Sequence, residues 1–278
     1  MKRSIVVMNK TGGQGKTLTS QMIYLGYRDA GLNPRLAAAD TTGDEDRSKL
    51  GKFFPGAVHE LGLGVRLTDI RRNQGAAIAY WDRLGELLLQ GGYIIDIGAN
   101  VAPFVFDWAR SRDAGRILRH RNAPPIVLCI SMRPQAQAVE DALHILERSV
   151  AEVEFLPVAA QVLVQNECGG SFEGYGSSDD FQRFSALKRS HDLRIAAMSQ
   201  NYSELWPIAE RNYLPLHDLL TAELEDLERD YGLDAFAASG AQADLVQWVD
   251  ETLTSFRSVG LVPPPAATRS DSLTAGIA

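Results

Sequence analysis

Gly12, Gly13, Gln14, Gly15, Lys16 and Thr17 have the composition to hold a chain of phosphates. Glycines let the backbone turn tightly and point successive N–H groups into one concavity, and a helix starting there favours an anion through its aligned dipoles. Lys16 would reach the β- and γ-phosphates as a point charge, and the Thr17 hydroxyl would bind Mg2+. The strict spacing GxxxxGK[ST] is broken because Lys10 occupies the first glycine position, but the core GGxGKT is intact. A glycine-rich turn that merely contains Lys-Thr is the bland alternative. The strand-like run before the loop and the helix-like run after it argue against that.

Two acids are placed to complete such a site. The apolar run YIID (93–96) closes on Asp96, the shape of a Walker B element that holds Mg2+, and Gly98 just beyond leaves room for the γ-phosphate. Asp40, in AAADTTGD, stands where it could orient or deprotonate an attacking water. Either acid could instead cap the turn that ends its strand. A bound triphosphate with Mg2+ is the expectation.

These residues need a frame. SIVVMN (4–9), RLAAAD (35–40), GYIIDIGA (92–99), PIVLCIS (125–131), AAQVLVQN (159–166) and LRIAAM (193–198) are almost continuously apolar, as strands covered on both faces must be. Helical stretches fall between them, over 17–31, 75–90, 137–152 and 203–212. On the first, Leu18, Met22, Leu25 and Gly26 share a face, and Gly31 with Asn33-Pro34 stops it. The alternation predicts a doubly wound, mostly parallel α/β sheet with helices on both faces, and the GGxGKT loop between the first strand and helix makes a P-loop NTPase fold the expectation. In such a sheet ligands bind beyond the carboxyl ends of the strands, where Asp40 and Asp96 fall.

Residues 43–74 have weak periodicity and read as a mobile loop with room for one edge strand. Residues 167–182, rich in Gly, Ser and Asp, read as a surface loop. An acidic helix at 217–232 and an amphipathic one at 244–256 follow. A single domain over 1–257 and a disordered tail over 258–278 are expected.

The 278-residue chain is 45% apolar, enough for a core, and its formal charge of −7 opposes wholesale binding to DNA without excluding a local basic patch. Cys129 and Cys168 lack metal-ligand spacing and read as inert thiols. No apolar run approaches the ~20 residues that cross a bilayer, and no leader is legible at the start, so a cytoplasmic location is expected.

With these residues in place, the chain resembles the ParA/MinD group of deviant Walker A ATPases over about residues 1–220. TGGQGKT (11–17) is similar to that family's KGGxGK[ST], AADTTG (38–43) to its DxDPQG switch, and IIDIGA (94–99) to its IIDTPP. The resemblance implies ATP and Mg2+ as ligands, Asp40 as the hydrolysis-linked acid, and Asn166 in LVQN (163–166) as a contact to adenine. It also implies a nucleotide-dependent homodimer and a DNA-binding adaptor or a conjugation or partition protein as partner. DIGAN (96–100) is closer to plasmid-borne members of the TraL and StbB type, associated with conjugation and plasmid stability, than to chromosomal ParA.

The departures matter. Ala38 replaces the first switch acid, and Thr41-Thr42 replace Pro-Gln. Thr11 replaces the signature lysine, which in the family crosses the dimer interface to the partner's phosphates. A cation supplied in trans is worth roughly 10³–10⁵ in rate for phosphoryl transfer. Three outcomes are open: slow hydrolysis with Lys10 as the stand-in, hydrolysis only when a partner supplies charge, or binding without turnover. Slow, partner-stimulated hydrolysis with Asp40, Lys16 and Lys10 as the catalytic set is the favoured expectation.

Arg110, Arg112, Arg116, Arg119 and Arg121 gather after the Walker B element. On a helix Arg112, Arg116 and Arg119 would share a face, giving a patch for non-specific DNA or an acidic partner, or an ion-paired surface. The C-terminal segment lacks the basic amphipathic helix needed to lie on a membrane. Tyr202 and Trp206 are expected to pack against the sheet. A nucleotide-holding scaffold without turnover, and a small-molecule kinase or ligase similar to dethiobiotin synthetase, are the alternatives.

Overall fold

The structure, a computed structural model, describes residues 2–40, 47–62, 74–175 and 178–266. Seven strands form one sheet: β1 Ser4–Met8, β2 Arg35–Ala39, β3 Val58–Glu60, β4 Tyr93–Ile97, β5 Ile126–Met132, β6 Val158–Asn166 and β7 Arg194–Met198. Their order is β3-β2-β4-β1-β5-β6-β7, and every pairing is parallel. The six expected strands are all present, and β3 is the edge strand for which the reading of 43–74 left room.

Alternate residues of β1 explain the two layers. Val6 and Met8 face a core shared with α3 Gln74–Gln90, α4 Phe104–Ser111, α5 Ala114–His120, α6 Ala136–Ala151 and α7 Asp179–His191. Ile5 and Val7 face the other core, with α1 Lys16–Asp29, α2 Lys49–Phe53, α8 Leu205–Asn212, α9 Leu216–Thr221, α10 Leu224–Tyr231 and α11 Ala235–Ser258. Both faces of β1, β4 and β5 are therefore dry, which is why their sequences show no polar alternation. The central β1 lies between β4 and β5, so the loop leaving its carboxyl end opens at the point where strand order reverses.

Four features differ from expectation. The arginine-rich stretch is two short helices, because Asp113 adopts a left-handed conformation (φ 48°) between α4 and α5. The loop expected over 167–182 gives way to α7 at Asp179, where the Ser178 hydroxyl accepts from the Phe181 N–H. The acidic stretch also breaks into α9 and α10. Finally, Leu261 and Val262 are buried, with Val262 packed close to Gly26 of α1, so the packed part of the chain runs past residue 257. The tail expectation for 267–278, and the Thr41-Thr42-Gly43 part of the switch, lie outside the described residues.

Candidate functional site

Asn9 to Gly15 carry the chain from β1 into α1. Gly13 and Gly15 both have positive φ (72° and 83°), which places them where a side chain would be strained. Gly15 is also a close approach, since a Cβ there would lie 2.1 Å from Asn166 Nδ2. The back of the loop is fully tied down. Asn9 Oδ1 accepts from the Thr11 N–H (3.1 Å), and its Nδ2 donates to the Ser131 carbonyl (2.9 Å). Buried Gln14 donates to Gln135 Oε1 (3.0 Å) and accepts from the Arg133 N–H (2.7 Å). Its carbonyl accepts from the Ser131 hydroxyl (2.7 Å) and from Asn166 Nδ2 (3.1 Å).

The front of the loop is different. Among the described residues, no hydrogen bond takes up the N–H groups of Gly13, Gly15, Lys16 or Thr17. Four donors with fixed direction at the start of a 14-residue helix make an anion seat.

The charged groups around that seat are held close. Lys16 is 9% exposed, and its Nζ donates to the Thr11 carbonyl at 3.1 Å. Burial pulls its pKa down, against the raising effect of Asp96 and then Asp40. The Thr17 hydroxyl donates to Asp96 Oδ2 at 2.7 Å. Burial pushes the Asp96 carboxyl up to about 6, against the lowering effect of Thr17 and Lys16. Asp40 follows β2, and Gly98 passes so near that a Cβ would sit 2.4 Å from Asp40 Oδ1. Gly98 thus serves the approach of β4's end to Asp40, and both residues also line the cavity.

That cavity, of about 360 Å3, opens above the loop and is lined by Gly12 to Leu18, Asp40, Asp96 and Gly98. A hydroxyl and a buried carboxylate are hard oxygen donors of the kind Mg2+ takes alongside phosphate oxygens. Asp96 carries a desolvation penalty that a bound dication would relieve. The residues fit the metal.

Some expected site residues fall elsewhere. Lys10 is drawn to Asp141 of α6 (3.2 Å), and the Thr11 hydroxyl donates to the same carboxylate (2.7 Å). Asn166 is fully buried beneath Gly15, with its Nδ2 on Gln14 and its Oδ1 accepting from the Cys168 N–H (3.0 Å). Its Nδ2 braces the loop through the Gln14 carbonyl, while its Oδ1 holds the turn after β6.

The arginines do not form one open stripe. Arg112 makes a two-pronged pair with Asp82 (3.0 and 2.6 Å), and Arg116 pairs with Asp113 (2.6 Å). Arg110 pairs with Glu152 (2.9 Å), and Arg119 donates to the Glu154 carbonyl (3.0 Å). Arg121 lies just beyond α5. The helix break at Asp113 removes the shared face that a continuous helix would have given.

Tyr202, expected against the sheet, is 75% exposed, whereas Trp206 is half-buried beside Trp248 (5.9 Å between ring centres) and lines the cavity. Burial raises both thiols, Cys129 and Cys168, in keeping with inert cysteines. Sequence reasoning missed Gln21, Lys49, Phe53, Arg133 and Glu210 in the cavity wall. Two of them left a signal: Gln21 is one helical turn past Thr17, and Arg133 follows the carboxyl end of β5.

No protein-family model matches the chain, and no curated protein matches it. Among solved structures it is similar to a ParA family ATPase from Chlorobium tepidum TLS at 12% identity, covering 92% of this chain and 97% of that one, with a TM-score of 0.44. It is also similar to a nucleotide-binding protein from Archaeoglobus fulgidus in complex with ADP (14% identity, 77% and 88% coverage, TM-score 0.43). The MinD cell division protein of Aquifex aeolicus gives 16% identity, 96% and 100% coverage, and a TM-score of 0.40.

Proposed function

We propose that this chain is a Mg2+-dependent, ATP-binding P-loop protein of the ParA/MinD type that hydrolyses ATP slowly. In this reading it is a nucleotide-dependent switch in positioning, partition or stability of plasmid or conjugative DNA, stimulated by a protein partner. One observation carries the nucleotide part. Among the described residues no hydrogen bond takes up the N–H groups of Gly13, Gly15, Lys16 or Thr17, and Thr17 itself donates to Asp96 with Lys16 beside it.

The chemistry follows from those positions. The amides and Lys16 bind the β- and γ-phosphates and take up charge that moves onto bridging and terminal oxygens as the bond breaks. Thr17 and Asp96 would hold Mg2+, which supplies charge neutralisation when bound. Asp40, one strand over from Asp96, orients the attacking water or accepts its proton. The motif resemblance supports adenine as the base, and the DIGAN stretch supports the plasmid-borne branch.

A second reading, a nucleotide-holding scaffold without turnover, is favoured by one contact: Asp141 holds both Lys10 and Thr11, so the expected stand-in lysine is not presented outward. Calorimetry with ATP and Mg2+ tests the shared premise. The wild type is expected to bind and Lys16→Ala to lose binding, while near-normal affinity in that variant would overturn the assignment. Phosphate release that stays at background with DNA and a cognate partner present would select the scaffold.

No helix among the described residues is long and apolar enough to cross a membrane.

A further inference from the structure

Thr11 leaves the site one cation short of the pattern it resembles, and Lys10 is engaged by Asp141. Two other basic side chains line the cavity, Lys49 and Arg133. Arg133 follows β5, where its N–H donates to Gln14 Oε1, whereas Lys49 opens α2. The charge of Arg133 is felt at Cys168, past the end of β6. The charge of Lys49 is felt at Lys16 and at Asp96, the two groups nearest the phosphate seat.

Lys49 is also fixed at its base. It is the first residue of α2, directly after Ser48, whose hydroxyl accepts from the Gly51 N–H (2.9 Å) and donates to Glu60 Oε1 (2.8 Å). The Ser48 N–H donates to the same oxygen (3.2 Å), so the start of α2 is pinned to β3. Gly51 is required there, because a Cβ would fall 2.0 Å from Glu60 Oε1. The backbone of Lys49 is thus held at the cavity rim.

At present its Nζ contacts Glu210 Oε1 of α8 at 2.8 Å, with the two side chains 47% and 49% exposed. Glu210 lines the same cavity. An exposed lysine–glutamate pair holds weakly and is screened by salt. A terminal phosphate seated among buried donors offers the ammonium more charge in a less screened place.

We propose that Lys49 is the second cation of the nucleotide site, supplied within the chain, and that it exchanges Glu210 for the γ-phosphate of a Mg2+-bound triphosphate. This rests on the reading that the loop binds such a nucleotide. The exchange also makes the tie between α2 and α8 depend on the terminal phosphate, because a diphosphate leaves Lys49 on Glu210.

The test compares ATP and ADP affinities, each with Mg2+, for the wild type, Lys49→Ala, Lys49→Arg and Glu210→Gln. Lys49→Ala is expected to weaken ATP roughly tenfold or more with ADP unchanged, as loss of a charge-assisted phosphate contact would. Lys49→Arg should keep the preference for ATP, and Glu210→Gln should strengthen ATP alone. A wild type that binds ATP and a Lys49→Ala variant with the same ATP-to-ADP ratio would overturn this inference and leave the nucleotide reading intact. A wild type that binds neither nucleotide would overturn both.

Discussion

Replacing Asp96 by asparagine separates what the site costs the fold from what it does. The carboxyl is buried, and its ordinary value of 3.8 is raised to about 6, chiefly by burial. Because the folded value lies above the unfolded one, the folded chain binds the proton more tightly. The stabilising contribution is thus complete below about 3.8 and is lost as pH rises through about 6. At about 1.36 kcal/mol per pH unit, burying this carboxyl costs the nucleotide-free protein about 3 kcal/mol at pH 7.5 and about half of that at pH 5, where the folded form is mostly protonated.

Asparagine keeps an oxygen for the Thr17 hydroxyl and removes that penalty. Its new N–H donors stand in a buried place where the carboxylate only accepted, which costs about 1 kcal/mol. The expected net gain is about 2 kcal/mol at pH 7.5, or about 4–8 °C in melting temperature for a chain of this size, shrinking to under about 1 kcal/mol at pH 5. Thermal melts of both proteins at the two pH values, without nucleotide or Mg2+, measure it. The same variant should lose Mg2+-dependent triphosphate binding. If Asp96→Asn melts below the wild type at pH 7.5, or the difference is equal at both pH values, Asp96 is not a carboxylate held against its own desolvation and the metal assignment loses its physical basis.

Asp40→Ala should keep nucleotide affinity and lose turnover in a phosphate-release assay; unchanged hydrolysis would remove Asp40 from the chemistry. Lys10→Ala should leave ATP-dependent self-association unaltered in sedimentation, since Asp141 already holds that ammonium, and a clear loss would reinstate Lys10 as the stand-in. Gly15→Ala should cost about 2–3 kcal/mol in denaturant melts, from a left-handed backbone and a clash with Asn166; a fully stable variant would contradict the loop geometry. Charge reversal at Arg112 and Arg116 should barely change DNA affinity or its salt slope in fluorescence anisotropy, because the helix break at Asp113 leaves them without a shared face, and a steep loss would restore the patch.

The frame was legible because its cause is local. A strand covered on both faces must be apolar throughout, and six segments satisfy that whatever their neighbours are. The helix break at Asp113 was not legible, because a left-handed aspartate leaves no periodic signature. The same division runs through the site. Gly12 to Thr17, Asp40 and Asp96 announce themselves by standing at strand ends, where the fold class says ligands go. Asn166 also stands at a strand end, but its contact to the loop is not legible from that position. What its amide does is decided by how closely Gly15 passes it, a distance set by two segments about 150 residues apart.

The position of Thr11, where the pattern this loop resembles has a lysine, makes the sharpest case. That Thr11 lacks an ammonium is a fact about one position, visible in the letters. Which group answers for it is a fact about the folded chain. The adjacent Lys10 is the natural candidate in sequence, yet Asp141, 130 residues on from Thr11, draws Lys10 and Thr11 to a single carboxylate. Lys49 has no motif and lies in a stretch of weak periodicity, yet the pinning of Ser48 to Glu60 brings it to the rim of the phosphate seat. A lost charge can be read along the chain, but its replacement depends on which ammonium the fold leaves weakly enough held to move.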